Sequence, residues 1–223
     1  AQVTSRAALA RLPVIRKHEL LERQRAADAP DVFGGHAALG WGTAPAAQRA
    51  LRVFASPGPI YEPEGDTRDY WRMGRALYAA GLRAGDLVHN TFSYHFTPAG
   101  AMMECGAFAI GCTVFPAGIG QTEQQVQAIA ALKPDAYVGT PSFLKIILDK
   151  ADELGVALPS LRKASVGGEA FPAALRDWLR ARGIAATQSY GTADLGLIAY
   201  ETQARDGLVV DEGVIVEIVR PGT

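Results

Sequence analysis

Cysteine is scarce, and its scarcity is the first constraint: Cys105 and Cys112 are the only two in 223 residues. Neither has a His or Cys companion at zinc-ligand spacing, and two thiols cannot staple a small secreted scaffold. Both are therefore expected as reduced core thiols. An excess of one charge is also missing. Lysine plus arginine number 22 against 23 acidic residues, for a net charge of −1, which leaves no basic field to draw nucleic acid or a membrane surface. No apolar run approaches the roughly 18 residues that span a bilayer, and the N-terminus lacks a leader pattern. A cytoplasmic setting is expected. The Gly-x-Gly-x-x-Gly fingerprint does not follow the first strand, which counts against a dinucleotide-binding oxidoreductase. No internal repeat or low-complexity tract is found. Apolar residues make up 48% of the chain, enough for the core of one large domain or two lobes.

Strand and helix patterns alternate along this apolar material. Tyr70, Met73 and Leu77 share a helical face that ends at Gly81, and Gly85-Asp86 turns into a strand over Leu87-Val88-His89-Asn90. A small-residue helix after Pro98 leads to a strand over Cys112-Thr113-Val114-Phe115. Thr122 through Gln125 fits a capping box that opens the next helix. A strand follows over Ala136–Gly139, then an amphipathic helix carrying Phe143, Leu144, Ile147, Leu148 and Ala151. Lys163–Val166 reads as another strand, and Leu175, Trp178 and Leu179 mark the helix after Pro172. This alternation predicts an α/β fold with a doubly wound parallel sheet. Ligands of such sheets collect at the carboxyl ends of the strands, where Phe92-Ser93-Tyr94-His95, Gly139-Thr140-Pro141 and Gly167-Gly168 stand. Ala26 to Ala47, rich in Ala, Gly and Pro, reads as the loosest segment. Val214–Val219 reads as a strand that stops at Arg220-Pro221-Gly222-Thr223 without a return strand, and Ala1 is not an initiator Met, so the chain is expected to be a piece of a longer one.

Two stretches carry chemistry, Gly167-Gly168-Glu169 and Ser189-Tyr190-Gly191-Thr192-Ala193-Asp194-Leu195-Gly196. A glycine pair between strand and helix lets a planar ring approach bare backbone. Tyr190 offers a flat face, and Asp194 an anionic oxygen of the kind Mg²⁺ prefers when it also holds phosphates. Plainer readings stand beside these. The glycine pair also suits a tight strand–helix turn. Glu169, just before Pro172, suits the first turn of a helix, where the dipole favours an acid. Tyr190 also reads as a core aromatic, Asp194 as a solvated turn and His95 as a hydrogen-bonded structural histidine.

The two stretches together resemble the adenylate-forming superfamily of acyl-CoA synthetases, and within it the phenylacetate-CoA ligase family. Tyr190-Gly191-Thr192-Ala193-Asp194 follows the family's Tyr-Gly-x-Ser/Thr-Glu signature, with Gly-Gly-Glu at the expected distance before it, and the likeness covers most of the chain. It implies an N-terminal-domain fragment, spanning 1–223, whose lobes comprise 1–66 with 161–223 and, separately, 67–160. The small C-terminal domain that supplies a catalytic lysine would be absent and the isolated piece inactive. By the same resemblance the backbone of Gly167, Gly168 and Glu169 meets adenine within a nucleotide site that includes Ser189 and Gly191. Tyr190 stacks on the base, Thr192 bonds near the α-phosphate and Asp194 helps hold Mg²⁺, the last two counted as catalytic. Asp in place of Glu retracts the carboxylate by one methylene, so that metal contact through water is an alternative to direct contact.

Phe92, Tyr94, His95, Gly139 and Pro141 match the acyl pocket, and an apolar, aromatic-lined cavity with one imidazole suits an aryl or acyl acid. The implied substrates are a small carboxylic acid, ATP and CoA. The carboxylate attacks the α-phosphorus of MgATP, pyrophosphate leaves, and the CoA thiol then displaces AMP. One departure stands out. Where the family has a Ser/Thr/Gly-rich phosphate loop with a lysine, this chain has Ala55-Ser56-Pro57-Gly58-Pro59-Ile60-Tyr61-Glu62-Pro63-Glu64. Ser56 and Gly58 remain, but three prolines remove N–H donors and two glutamates repel phosphate. Arg52, Arg68 and Arg72 are candidates to compensate. The altered loop also allows a second reading, a degenerate, non-catalytic acid- or nucleotide-binding module of the same fold. Surfaces that a missing domain would cover make a homodimer an expectation.

Overall fold

A computed structural model describes residues 3–42 and 44–220. Two compact units divide between Glu64 and Gly65. In the first, α1 (Arg6–Leu9) is capped by the Ser5 hydroxyl, and α2 (Lys17–Arg25) carries Gln24, whose carboxamide bonds both the N–H and the C=O of Tyr61, at 2.8 and 3.0 Å. Tyr61 lies on a hairpin of β1 (Arg52–Ser56) and β2 (Ile60–Glu64). The segment from Ala26 to Ala47 is irregular as expected, yet it is anchored: Phe33 is buried, lies edge-on to Trp41, and follows an Asp31 turn whose carboxylate accepts from Phe33 and Gly35.

The second unit is built on a seven-stranded sheet. Its elements are α3 (Met73–Ala79), β3 (Leu87–Asn90), α4 (Ala99–Ala109), β4 (Thr113–Pro116), α5 (Thr122–Leu132), β5 (Ala136–Gly139), α6 (Pro141–Glu153), β6 (Lys163–Val166), α7 (Ala173–Ala181), β7 (Ala185–Thr192), β8 (Gly196–Glu201) and β9 (Leu208–Val210). The order is β4-β3-β5-β6-β7-β8-β9, parallel from β4 to β7 and antiparallel from there on. Successive parallel strands step one way from β3 to β4 and the other way from β3 to β5. The carboxyl ends of β3 and β5 therefore flank a topological switch point, the usual ligand crevice of such sheets.

The apolar periodicities explain why these segments take these forms. Leu144, Ile147, Leu148 and Ala151 bury one stripe of α6 against Val126 and Ile129 of α5 and the wholly buried β5, and Leu179 of α7 joins the same core over β6 and β7. Covering on both faces is what lets β5 run Ala-Tyr-Val-Gly with no polar alternation.

Several expectations are corrected. β5 and β6 pair from Ala136↔Lys163 to Gly139↔Val166, so a lobe boundary at 160 would cut one continuous sheet; the division falls at 64/65 instead. Tyr70 precedes α3, which opens only at Met73 after Arg72 takes a left-handed φ of 62°. The Thr122–Gln125 capping box does not form. Gln121 is the N-cap, and the Gln125 carboxamide instead turns inward to the carbonyls of Gly118 and Gly120 and to His89. Val214–Val219 makes no ladder with any described strand, and a strand without a partner leaves its backbone groups to water. Its expected stop at Pro221–Thr223 lies outside the described residues. Cys112 is buried and donates to the Arg83 carbonyl, whereas Cys105 is half-buried, on the less covered side of α4.

Leu144 is fully buried at the centre of this core. Leu144→Ala is expected to lower the urea midpoint by the equivalent of about 2–5 kcal/mol with an unchanged denaturant slope.

Candidate nucleotide and acid site

At the switch point one phenol joins three segments. The Tyr137 hydroxyl, buried within β5, accepts from Thr91 Oγ1 at 2.8 Å and donates to the Thr140 carbonyl at 3.0 Å. Burial pushes its pKa well above the ordinary phenol value, so it stays a neutral donor. The node occupies the space beside Gly139: a Cβ there would lie 2.0 Å from Thr91 Oγ1 and 2.3 Å from the Tyr137 oxygen. Thr140 then caps α6, its hydroxyl accepting from Phe143, with Pro141 buried at the first helical position. Gly139 and Pro141 thus shape the strand–helix turn and do not line the nearby cleft described below.

The nucleotide candidates gather on the next strands. Gly168 stands at φ +80°, and a Cβ there would meet Phe92 Cε1 at 3.5 Å and Thr140 Cγ2 at 3.7 Å. Gly167 lies under Ser189, with 3.0 Å from its Cβ position to the Ser189 carbonyl oxygen. Phe92, Thr140, Gly167, Gly168 and Ser189 therefore form one cluster. Tyr190, next on β7, is 56% exposed, which rules out the core-aromatic reading. The sheet register shifts between Tyr190 and Gly191. Beyond it the Thr192 hydroxyl accepts from Leu195 N at 3.2 Å, and exposed Asp194 lies in the β7–β8 turn.

Glu169 does not belong to the first turn of α7. Its Oε1 accepts from Ser142 N at 2.7 Å and so caps the N-terminus of α6. The helix dipole favours the acid there, but on a different helix from the one its spacing suggested.

Tyr94 and His95 lie elsewhere. With Phe115, Gly118, Ile119 and Gln125 they line a cleft of about 620 Å³ between the loop after β3 and the start of α5. The Tyr94 hydroxyl is committed to Asn90 at 2.8 Å and Glu104 at 3.0 Å, while His95 is exposed. Beneath the cleft His89 is fully buried and stacked on Phe115. Because the Gln125 nitrogen donates to two carbonyls, its oxygen is the acceptor for His89 Nε2–H at 2.6 Å. That leaves Nδ1 an unprotonated nitrogen without a hydrogen-bond partner, and desolvation lowers the pKa of the ring. Asn90, Thr91, Tyr137 and the His89–Gln125 pair were not singled out from sequence. The Thr-Pro opening of α6 is a legible N-cap signal; the others carry none.

The altered phosphate stretch is the hairpin of the first unit, not an open loop. Ser56 is buried and donates to Glu62 at 2.9 Å, Glu62 lies 3.5 Å from the Lys17 ammonium, and Glu64 pairs with Arg52. The glutamates are thus tied into the hairpin, and Gly58 merely turns it. The three arginines all have partners in the fold: Arg52 is in that pair, Arg68 donates to the Ala109 carbonyl, and Arg72 serves Asp211 and two carbonyls. Among the described residues no three His, Cys, Asp or Glu gather as a metal site. Mg²⁺ at Asp194 would need nucleotide phosphates and water to complete its shell, the usual manner for this ion.

The family model for AMP-binding enzymes matches residues 67–219. The chain belongs to that family. The match begins just inside the second unit and takes in every nucleotide candidate. Phenylacetate-coenzyme A ligases of Aromatoleum evansii and Thermus thermophilus are 35% and 30% identical to it over 190 residues, which are 79% of this chain and 43% of each relative. The chain thus spans less than half the length of those relatives. Among solved structures, an open conformation of 2-hydroxyisobutyryl-CoA ligase with 2-HIB-AMP and CoA matches at a TM-score of 0.74 and 24% identity, over 90% of this chain and 45% of the other. An anthranilate CoA ligase in complex with anthranoyl-AMP matches at 0.57 and 23%, over 73% and 34%. At those identities the likeness is one of fold.

The depressed native pKa of His89 sets a pH dependence. Its contribution is complete above about 6.5, the unfolded value, and is lost as the pH falls from there toward the native value, at up to about 1.4 kcal/mol per pH unit. Urea midpoints between pH 7 and 5 are expected to fall more steeply for the wild type than for His89→Gln; equal slopes would remove His89 as the cause.

Proposed function

We propose that the chain is the acid- and nucleotide-binding part of an AMP-forming acid-CoA ligase of the phenylacetate-CoA ligase kind. The observation that carries this is the cluster of bare backbone at Gly167-Gly168 with the Phe92 ring and Ser189, next to which β7 exposes Tyr190. Such a slot accepts a flat purine between aromatic and backbone surfaces, with Thr192 and Asp194 one turn further along the hairpin, where phosphate would follow. The acid would enter from the loop after β3, with its body in the cleft beside Tyr94 and His95. Adenylation would join the acid's carboxylate oxygen to the α-phosphorus with loss of pyrophosphate, and the CoA thiol would then take the acyl group and release AMP. No side chain here is asked to be a nucleophile. The contribution is positioning and charge stabilisation, with Thr192 holding the α-phosphate and Asp194 binding Mg²⁺ directly or through water. A cytoplasmic enzyme with both cysteines reduced and a homodimeric state complete the proposal.

A second reading, a non-catalytic nucleotide- or acid-binding module, is favoured by one observation: Ser56, Glu62 and Glu64 are committed within their hairpin and offer no phosphate cradle. Hydroxamate trapping of an acyl-adenylate by the full-length parent separates the two readings, since a module leaves the signal at background.

Calorimetry on the chain itself tests the nucleotide site. AMP is expected to bind at least as tightly as ATP, and Tyr190→Ala to weaken AMP by about tenfold, or 1.4 kcal/mol, without lowering the melting temperature. Asp194→Asn should leave metal-free AMP binding intact while abolishing any gain from Mg²⁺. ATP binding far tighter than AMP, or a Tyr190→Ala variant that binds like wild type, would overturn the assignment.

A further inference from the structure

The turn that carries Thr192 and Asp194 is held from outside the hairpin. The carbonyls of Ala193, Leu195 and Leu197 all accept hydrogen bonds from one dipeptide. The Trp71 indole donates to Ala193 at 3.1 Å, and Arg72 Nη2 donates to Leu195 at 2.6 Å and Leu197 at 3.1 Å. Leu197 N returns a bond to the Trp71 carbonyl at 2.9 Å. Gly196 makes room for this approach: at φ +74°, it has its Cβ position only 2.5 Å from the Trp71 carbonyl oxygen.

Arg72 pays a conformational cost to be there. Its φ of 62° is a left-handed conformation that bulky residues hold only where the surroundings over-determine it, and such strain gathers at functional sites. Here the surroundings are Asp211, a fully buried carboxylate that accepts from Arg72 Nε at 3.0 Å, with Arg75 Nε 3.7 Å from its other oxygen. The Asp211 amide in turn bonds the Ile198 carbonyl at 2.8 Å, so the counter-charge is fastened to the same hairpin.

We propose that Trp71 and Arg72 are positioning residues for the nucleotide site, acting through the β7–β8 turn to fix the Thr192 hydroxyl and the Asp194 carboxylate. The inference rests on the proposed nucleotide reading. A turn of three residues between strands has few internal bonds with which to hold two polar side chains at a phosphate, and a loosely held group loses much of its value in binding. Three external hydrogen bonds supply that order before any ligand arrives. The guanidinium suits the task because one planar fork reaches two carbonyls and a carboxylate at once, which an ammonium cannot do.

Two conservative variants and one control test this. Trp71→Phe keeps the ring and deletes one donor; Arg72→Lys keeps the charge opposite Asp211 but loses the fork. Ile147→Val, in the core of α6, serves as a mild destabilisation remote from the turn. In both clamp variants amide hydrogen exchange over Gly191–Leu197 is expected to speed by about tenfold, and the dissociation constant for AMP to rise by about five- to tenfold. Ile147→Val should change neither, whatever its melting temperature. Wild-type affinity for AMP in both clamp variants, with or without faster exchange, would overturn the inference alone. Failure of the wild-type chain to bind AMP would overturn the nucleotide reading and this inference with it.

Discussion

The candidate site depends on the hydroxyl of Tyr137. It lies where β3, β5 and the start of α6 meet, and it bonds to Thr91 and Thr140 at once. Left unpaired in that buried position it would cost about 1–3 kcal/mol, so the loop after β3 and the turn into α6 are bound to follow it. Gly139 is the corollary, because a side chain there would occupy the space of the node itself. From this point the loop carries Phe92 to Gly168 on one side and, through the Asn90 bonds to Tyr94 and Gly100, carries Tyr94 toward the cleft on the other.

The surrounding polar groups work in the same direction, by being used up. Glu169 is spent on the α6 N-terminus, Tyr94 on Asn90 and Glu104, and Gln125 on two loop carbonyls and His89. The proposed nucleotide surface at β6 and β7 consists of bare backbone, the Phe92 and Tyr190 rings, the Thr192 hydroxyl and the Asp194 carboxylate. Such a surface favours a flat base with a phosphate beyond it, and it owes its form to hydrogen bonds that point away from the ligand. The Trp71-Arg72 contacts beneath the β7–β8 turn belong to the same pattern.

Sequence reading recovered the elements whose signal is local. The helices α4 to α7 and the strands β3 to β6 follow from apolar periodicity and from turn residues at their ends, and the place of Phe92, Gly139 and Gly167-Gly168 at carboxyl ends of strands follows from strands alternating with helices. It failed where a residue's partner lies far along the chain. Gln125 has the right type and spacing for a capping box but is drawn inward by His89, 36 positions away. Glu62 and Glu64 read as repulsive charges on a loop, yet Lys17 and Arg52 neutralise them in a hairpin. Val214–Val219 has the composition of a strand and no ladder to join.

The sequence by itself therefore determined the class of the fold and the family, because periodicity and motif spacing are properties of neighbouring residues. Only the tertiary structure decided which side chains are free to act. It separated Tyr94 and His95 from Phe92, turned Glu169 into a helix cap, and brought Trp71 and Arg72 under a turn more than 120 residues away. The physical reason is that hydrogen bonds and ion pairs are satisfied by proximity in space, and a buried polar group takes the partner that the packing of the sheet and helices places beside it.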